Sequence, residues 1–145
     1  MAQGAGARRS DFAAANAVDL VRGAYRAFAA ADARLLRSLC HNSLELRPVD
    51  ALGLVGETLE GFDAARGWVV RRRDLGYEVS IWVRTLEEAA PDTVLGVGVV
   101  SEHGRTGHGY AATVAWIWHV RDGLIDYVHG YSNEAAARRA LSGRA

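Results

Sequence analysis

The chain has 145 residues, half of them hydrophobic, a single cysteine, and 17 basic residues balanced by 17 acidic ones. This length and apolar content suit one domain around one core, and a formal net charge of zero gives no global attraction to nucleic acid or to an anionic membrane surface. No run reaches the ~20 apolar residues of a membrane span, no apolar export core follows Arg8-Arg9, and the lone Cys40 allows no internal disulfide, so a cytoplasmic protein is predicted.

Residues 1–9, MAQGAGARR, are small, glycine-rich and basic and read as a disordered tail; a single domain is predicted over 10–141, with 142–145 as a second tail. Ser10 or Asp11 caps a helix running to about Ala30, in which Val18, Val21, Tyr25 and Phe28 recur at three- and four-residue spacing. Asp32 reads as the N-cap of a short helix, Ala33 to Cys40, whose Leu35, Leu36 and Leu39 face inward. Cys40, set among leucines, reads as a small buried hydrophobe. Ser43 to Arg47 alternates and stops at Pro48, the pattern of an edge strand. A loop over 49–60 leads to a third helix from Phe62 or Asp63, with Ala65, Trp68 and Val69 on one side and a charged stop at Arg71-Arg72-Arg73-Asp74 before Gly76. Strands follow over about 77–86, 93–102 and 110–120, separated by turns at Pro91-Asp92 and at the glycine-rich HGRTGHG of 103–109. A last strand, 124–132, precedes a helix over 134–141 capped by Asn133.

The stretch 109–132, GYAATVAWIWHVRDGLIDYVHGYS, is the most informative. Asp122-Gly123 is a hairpin signal between two runs rich in β-branched and aromatic residues. Counted by twos, Tyr110, Ala112, Val114, Trp116, Trp118 and Val120 share one face, and Ala111, Thr113, Ala115, Ile117 and His119 the other. Both faces of this strand are therefore apolar, which predicts cover on both sides. Helices of the same chain supply one cover, and a second subunit is the expected source of the other. The element order specifies an α+β protein with helices packed on a mostly antiparallel sheet.

In that order, the segments VRGAYRAFAAADARLLRSL, LEGFDAARGWV and RDGLIDYVHGYSNEAAARRAL resemble the NTF2-like superfamily and, within it, the SnoaL-like branch of ketosteroid isomerases, limonene epoxide hydrolases and polyketide cyclases. The resemblance covers about residues 15–141. It implies an NTF2-like (cystatin-like) cone, a curved sheet wrapped around helices with an internal pocket, and a homodimer joined through the outer sheet face. The ketosteroid isomerase tyrosine falls on Ala24 beside Tyr25, its aspartate base on Arg47 or Pro48, and its protonated acid on Ala115 or Trp116. The last-strand acid of the cyclases and epoxide hydrolases falls on Gly130. The usual acids are thus missing from the family positions.

Substitutes are available nearby. If Gly130 faces the pocket, period-two alternation puts Asp126 on the same face, where Trp116 or Trp118 would desolvate it and fit it for proton transfer. The alternative is a solvated Asp126 paired with an arginine. Asp50 follows the first strand and is a second candidate, although an aspartate after proline commonly starts a loop. Tyr25 and His41 are the candidate hydrogen-bond donors. The expected pocket lining is Tyr25, Phe28, Arg47, Trp68, Val114, Trp116, Trp118, Val128 and Gly130, an aromatic wall suited to flat, apolar molecules, with Arg47 as a cation for an acidic or carbonyl group. The five histidines show no metal-ligand spacing, and neither a metal nor a cofactor is expected; His119 and His129 belong to the outer face. Three functions fit. One is an isomerase, cyclase or epoxide hydrolase acting on a polycyclic or terpenoid-like ligand. The second is a binder of a hydrophobic small molecule without turnover, and the third a dimerising partner protein with a vestigial pocket. No nucleic-acid or membrane partner is expected.

Overall fold

Asp32 marks the first corner of the chain. In the computed structural model, which describes residues 17–104 and 109–143, helix α1 occupies residues 17–30 and α2 spans Ala33–Leu39. Ala31 takes a positive φ of 52°, and the Asp32 carboxylate accepts the Leu35 N–H at 3.0 Å, satisfying one of the orphan donors at the start of α2. Both Ala27 and Leu36 are thereby turned into the core. The proposed caps Ser10 and Asp11, the N-terminal tail and residues 105–108 of the glycine-rich turn lie outside the described residues.

Six strands follow the two helices: β1 Cys40–Arg47, β2 Leu59–Glu60, β3 Glu78–Ala90, β4 Thr93–His103, β5 Gly109–Arg121 and β6 Leu124–Tyr131. Helix α3, Phe62–Asp74, separates β2 from β3, and α4, Glu134–Gly143, follows β6. The sheet order is β2-β1-β6-β5-β4-β3. Neighbours are antiparallel except β1 and β6, whose parallel pairing sets the first strand beside the last. Asp122 and Gly123, both at positive φ, turn β5 into β6 as the Asp-Gly signal requires. At the other end of β6, the Asn133 side chain accepts the Ala136 N–H at 2.8 Å and caps α4.

Two expectations are corrected here. The first strand is an interior one: it starts at Cys40 and is flanked by β6 and the two-residue β2, because the sheet closes on the C-terminal hairpin. The last helix runs to Gly143, through part of the expected tail. Between Pro48 and β2 the chain is not wholly irregular, since Val49 and Val55 form a bridge.

The two-sided strand is covered as its pattern demands. Its inner face, with Val114, Trp116 and Trp118, packs with Val21, Tyr25, Leu36, Val69 and Val128 in the main core beneath α1, α2 and α3. Its outer face, with Ala115 and Ile117, packs with Leu95, Val97 and Ala137, bordered by Ala140 and Leu141 of α4. Ala115 and Ile117 have no exposed surface in a single chain, so α4 supplies the second cover and a second subunit is not needed to bury them. Full burial of a side chain such as Ile117 contributes about 1.5–3 kcal/mol. Among the described residues, no helix is long and apolar enough to cross a membrane.

Candidate functional site

The inner sheet face and the ends of α1 and α3 enclose a cavity of about 410 Å³. One wall is aromatic. Tyr25 stands edge-on to Trp116 and Trp118, with ring centroids 5.0 and 4.7 Å away, and Phe28 meets Trp118 at 6.2 Å. Trp118 donates its indole N–H to the Tyr25 hydroxyl at 3.0 Å, so the two large rings are fixed by a directed bond as well as by packing. Burial raises the Tyr25 pKa far beyond its ordinary value, outweighing the lowering effect of the Trp118 hydrogen bond, and the group stays a neutral phenol. Space for that hydroxyl comes from Gly96 on β4, where an added methyl would overlap it.

The opposite end is polar. Arg72, in the last turn of α3, pairs with Glu102 near the end of β4, and both line the cavity. Their side chains are 23% and 14% exposed, so the pair is only partly screened by solvent. The Arg72 guanidinium also lies 5.1 Å from the ring centroids of both Trp68 and Tyr77, a cation held between two π faces. Its Nε is buried and has no hydrogen-bond partner among the described residues.

Of the expected pocket residues, Tyr25, Phe28, Trp68, Trp116, Trp118 and Val128 line the cavity. Arg47, Val114 and Gly130 do not. Arg47 follows inward-facing Leu46 and lies across the other face, where it donates to the Gly130 carbonyl at 3.2 Å and stacks 4.7 Å from the Tyr131 ring centroid. Val114 is sealed in the core, and Gly130 is pressed against Val49, whose Cγ1 would stand 2.6 Å from an added Cβ.

Among the candidate proton carriers and donors, Asp126 is the main correction. A β-bulge pairs His119 with Tyr127 but Val120 with Ile125, leaving Asp126 without a partner of its own in the ladder. The alternation is broken there: Ile125 and Val128 turn into the core, and Asp126 is not among the cavity-lining residues. Its Oδ2 accepts from Arg121 Nε at 3.1 Å, while Oδ1 is buried without a partner among the described residues. His41 lies in the same surface cluster, with Arg121 Nη2 3.4 Å from both its ring nitrogens and 2.9 Å from Ser43 Oγ. Asp50 accepts the N–H groups of Leu52 and Leu54, each at 2.9 Å, and fastens its own loop. Neither Asp50 nor His41 lines the cavity; Tyr25 does.

Arg72 and Glu102 were readable in the sequence but hidden by their setting. Arg72 is four residues beyond Trp68 and therefore on the same helix face, yet it sits in an Arg-Arg-Arg-Asp run that reads as a solvated helix stop. Glu102 follows Val94, Gly96, Gly98 and Val100 by twos, with only two large residues in that series to mark the face.

The sequence matches no family model and no curated protein. Solved structures do match the architecture. A protein from Burkholderia pseudomallei described as NTF2-like and of unknown function superposes with a TM-score of 0.67 at 18% identity, over 86% of this chain and 95% of that one. The fold is NTF2-like. An LEH-like epoxide hydrolase from M. tuberculosis shares it with a TM-score of 0.68 at 14% identity, over 81% of this chain and 79% of that one. TerC, co-crystallized with polyporic acid, shares it with a TM-score of 0.67 at 17% identity, over 88% and 98% of the two chains. At these identities the likeness establishes the NTF2-like fold and leaves activity to be argued from the site.

Proposed function

We propose that this NTF2-like protein binds a flat, largely apolar small molecule of polycyclic or terpenoid-like shape, with Arg72 and Glu102 as the polar pair of the cavity wall. The observation that carries this reading is the pairing of an aromatic-walled cavity of about 410 Å³ with the Arg72–Glu102 ion pair in its lining. A largely apolar pocket with a few polar groups in its wall selects shape first and orientation second. The test is a fluorescence titration with neutral phenylnaphthylamine. Saturable one-to-one binding that is lost in Val79→Trp, which plugs the cavity from the half-buried edge strand, supports the reading. A folded Val79→Trp variant that binds as well as the wild type places the probe elsewhere.

One observation favours a second reading, turnover of the isomerase, cyclase or hydrolase kind: the Glu102 carboxylate lines the cavity, where a proton carrier is needed. It predicts solvent-deuterium exchange into enolisable polycyclic ketones that is lost in Glu102→Gln. The proposal retains a homodimer through the outer sheet face. Its support is the half-buried His119, Tyr127 and His129 stack, with successive ring centroids 4.4 and 4.0 Å apart, beside Glu45, which meets His129 at 2.6 Å. Light scattering of the purified protein decides that point.

A further inference from the structure

We infer that the ligand is an amphipathic organic anion, whose acidic group rests outside the cavity on Arg22 and Arg26 while its apolar body fills the interior. This rests on the cavity reading above and narrows it to a chemical class. A groove of about 730 Å³ between α1 and β3 adjoins the cavity, and the two share Tyr25, Ala29, Ala30, Val79, Ser80 and Ile81 in their walls. Arg22 and Arg26 are the charged residues of that groove.

Their placement has a physical reading. Positions 22 and 26 are one helical turn apart, so two like charges face the same side of α1, an arrangement that weakens a helix. Among the described residues neither guanidinium has a carboxylate within ion-pair distance, although Asp19 lies one turn before Arg22. Cavity and groove together are lined by four arginines (22, 26, 72 and 73) and two glutamates (78 and 102), a net charge of +2 in a chain whose total is zero. Arg72 is matched by Glu102 and Arg73 lies beside Asp74 at 3.4 Å. With Asp74 counted against Arg73, Glu78 is the one lining carboxylate left over, so the excess is +1, and the positive groups that remain are Arg22 and Arg26. A carboxylate, sulfonate or phosphate attached to an apolar body would relieve their repulsion without leaving water, which avoids the desolvation cost of taking a charge into the aromatic interior.

The experiment compares anilinonaphthalene sulfonate with neutral phenylnaphthylamine, which lacks the sulfonate, on the full chain. The wild type is expected to bind the sulfonate at least fivefold more tightly than the neutral probe at low salt, as two solvent-exposed charge contacts allow, with the preference shrinking in 0.5 M salt. In Arg22→Gln/Arg26→Gln the preference should vanish while neutral-probe affinity stays within twofold, and Arg22→Lys/Arg26→Lys should restore most of it. An unchanged preference in the glutamine double variant overturns the inference and leaves the cavity reading intact. Failure of the neutral probe to bind the wild type, or binding that survives Val79→Trp, removes the cavity reading and this inference with it.

Discussion

Replacing Gly96 by alanine tests the joint between helix α1 and the sheet. An added Cβ would overlap the Tyr25 hydroxyl oxygen and stand 3.1 Å from both Tyr25 Cζ and Leu86 Cδ2. Tyr25 is 4% exposed and edge-on to two tryptophans, so its ring has little room to retreat. Overpacking of this kind costs about 1–3 kcal/mol. Displacing the hydroxyl also breaks its bond to the Trp118 indole N–H, about 0.5–1.5 kcal/mol more. The sum is a loss of about 1.5–4.5 kcal/mol, read as a lower urea midpoint at unchanged m-value. The decisive comparison is the double variant. Tyr25→Phe alone should cost about 1–3 kcal/mol, because it strands the Trp118 donor at a site 1% exposed. Once the hydroxyl is gone, however, Gly96→Ala meets only the ring carbon and a flexible leucine, and its further cost should fall to about 1 kcal/mol. A double-mutant cycle should therefore show a coupling of at least about 1 kcal/mol. Strict additivity would mean that the Tyr25 hydroxyl does not occupy the space over Gly96.

Three further outcomes follow from the same geometry. Burial pushes the Cys40 thiol up to about 12 from 9.0, with Arg37 opposing the shift, so the unfolded chain ionises first. Its contribution is complete below pH 9 and is lost as pH rises towards 12, with a slope of up to about 1.4 kcal/mol per pH unit. Urea midpoints at pH 8, 9.5 and 10.5 should fall more steeply for the wild type than for Cys40→Ala; equal slopes would refute the assignment. Asp126→Asn should leave neutral-probe affinity within twofold, since Asp126 pairs with Arg121 and does not line the cavity, and a tenfold loss would return Asp126 to the pocket. Asp50→Ala removes the acceptor of two backbone N–H groups and should cost about 1 kcal/mol, seen as faster amide exchange at Leu52 and Leu54; unchanged exchange would show that the turn holds without the carboxylate.

The sequence by itself determined the features in which cause and effect lie within one or two turns of chain. Asp32 caps α2, Asn133 caps α4, and Asp122-Gly123 takes the positive φ values that a tight hairpin demands. Alternation along β5 likewise separated Trp116 and Trp118 from Ala115 and Ile117, because side chains of a regular strand must alternate. Tertiary structure decided whatever depended on a partner distant in sequence. One bulge between β5 and β6 reversed the face expected for Asp126, and alternation cannot foresee where a ladder takes an extra residue. Helix α4 took the outer cover expected of a second subunit at Ala115 and Ile117, since an apolar face does not specify which chain buries it. The Arg72 and Glu102 pair joins the end of a helix to the end of a strand 30 residues later. Each residue alone reads as surface charge; their common face on the cavity exists only once the sheet brings the two ends together.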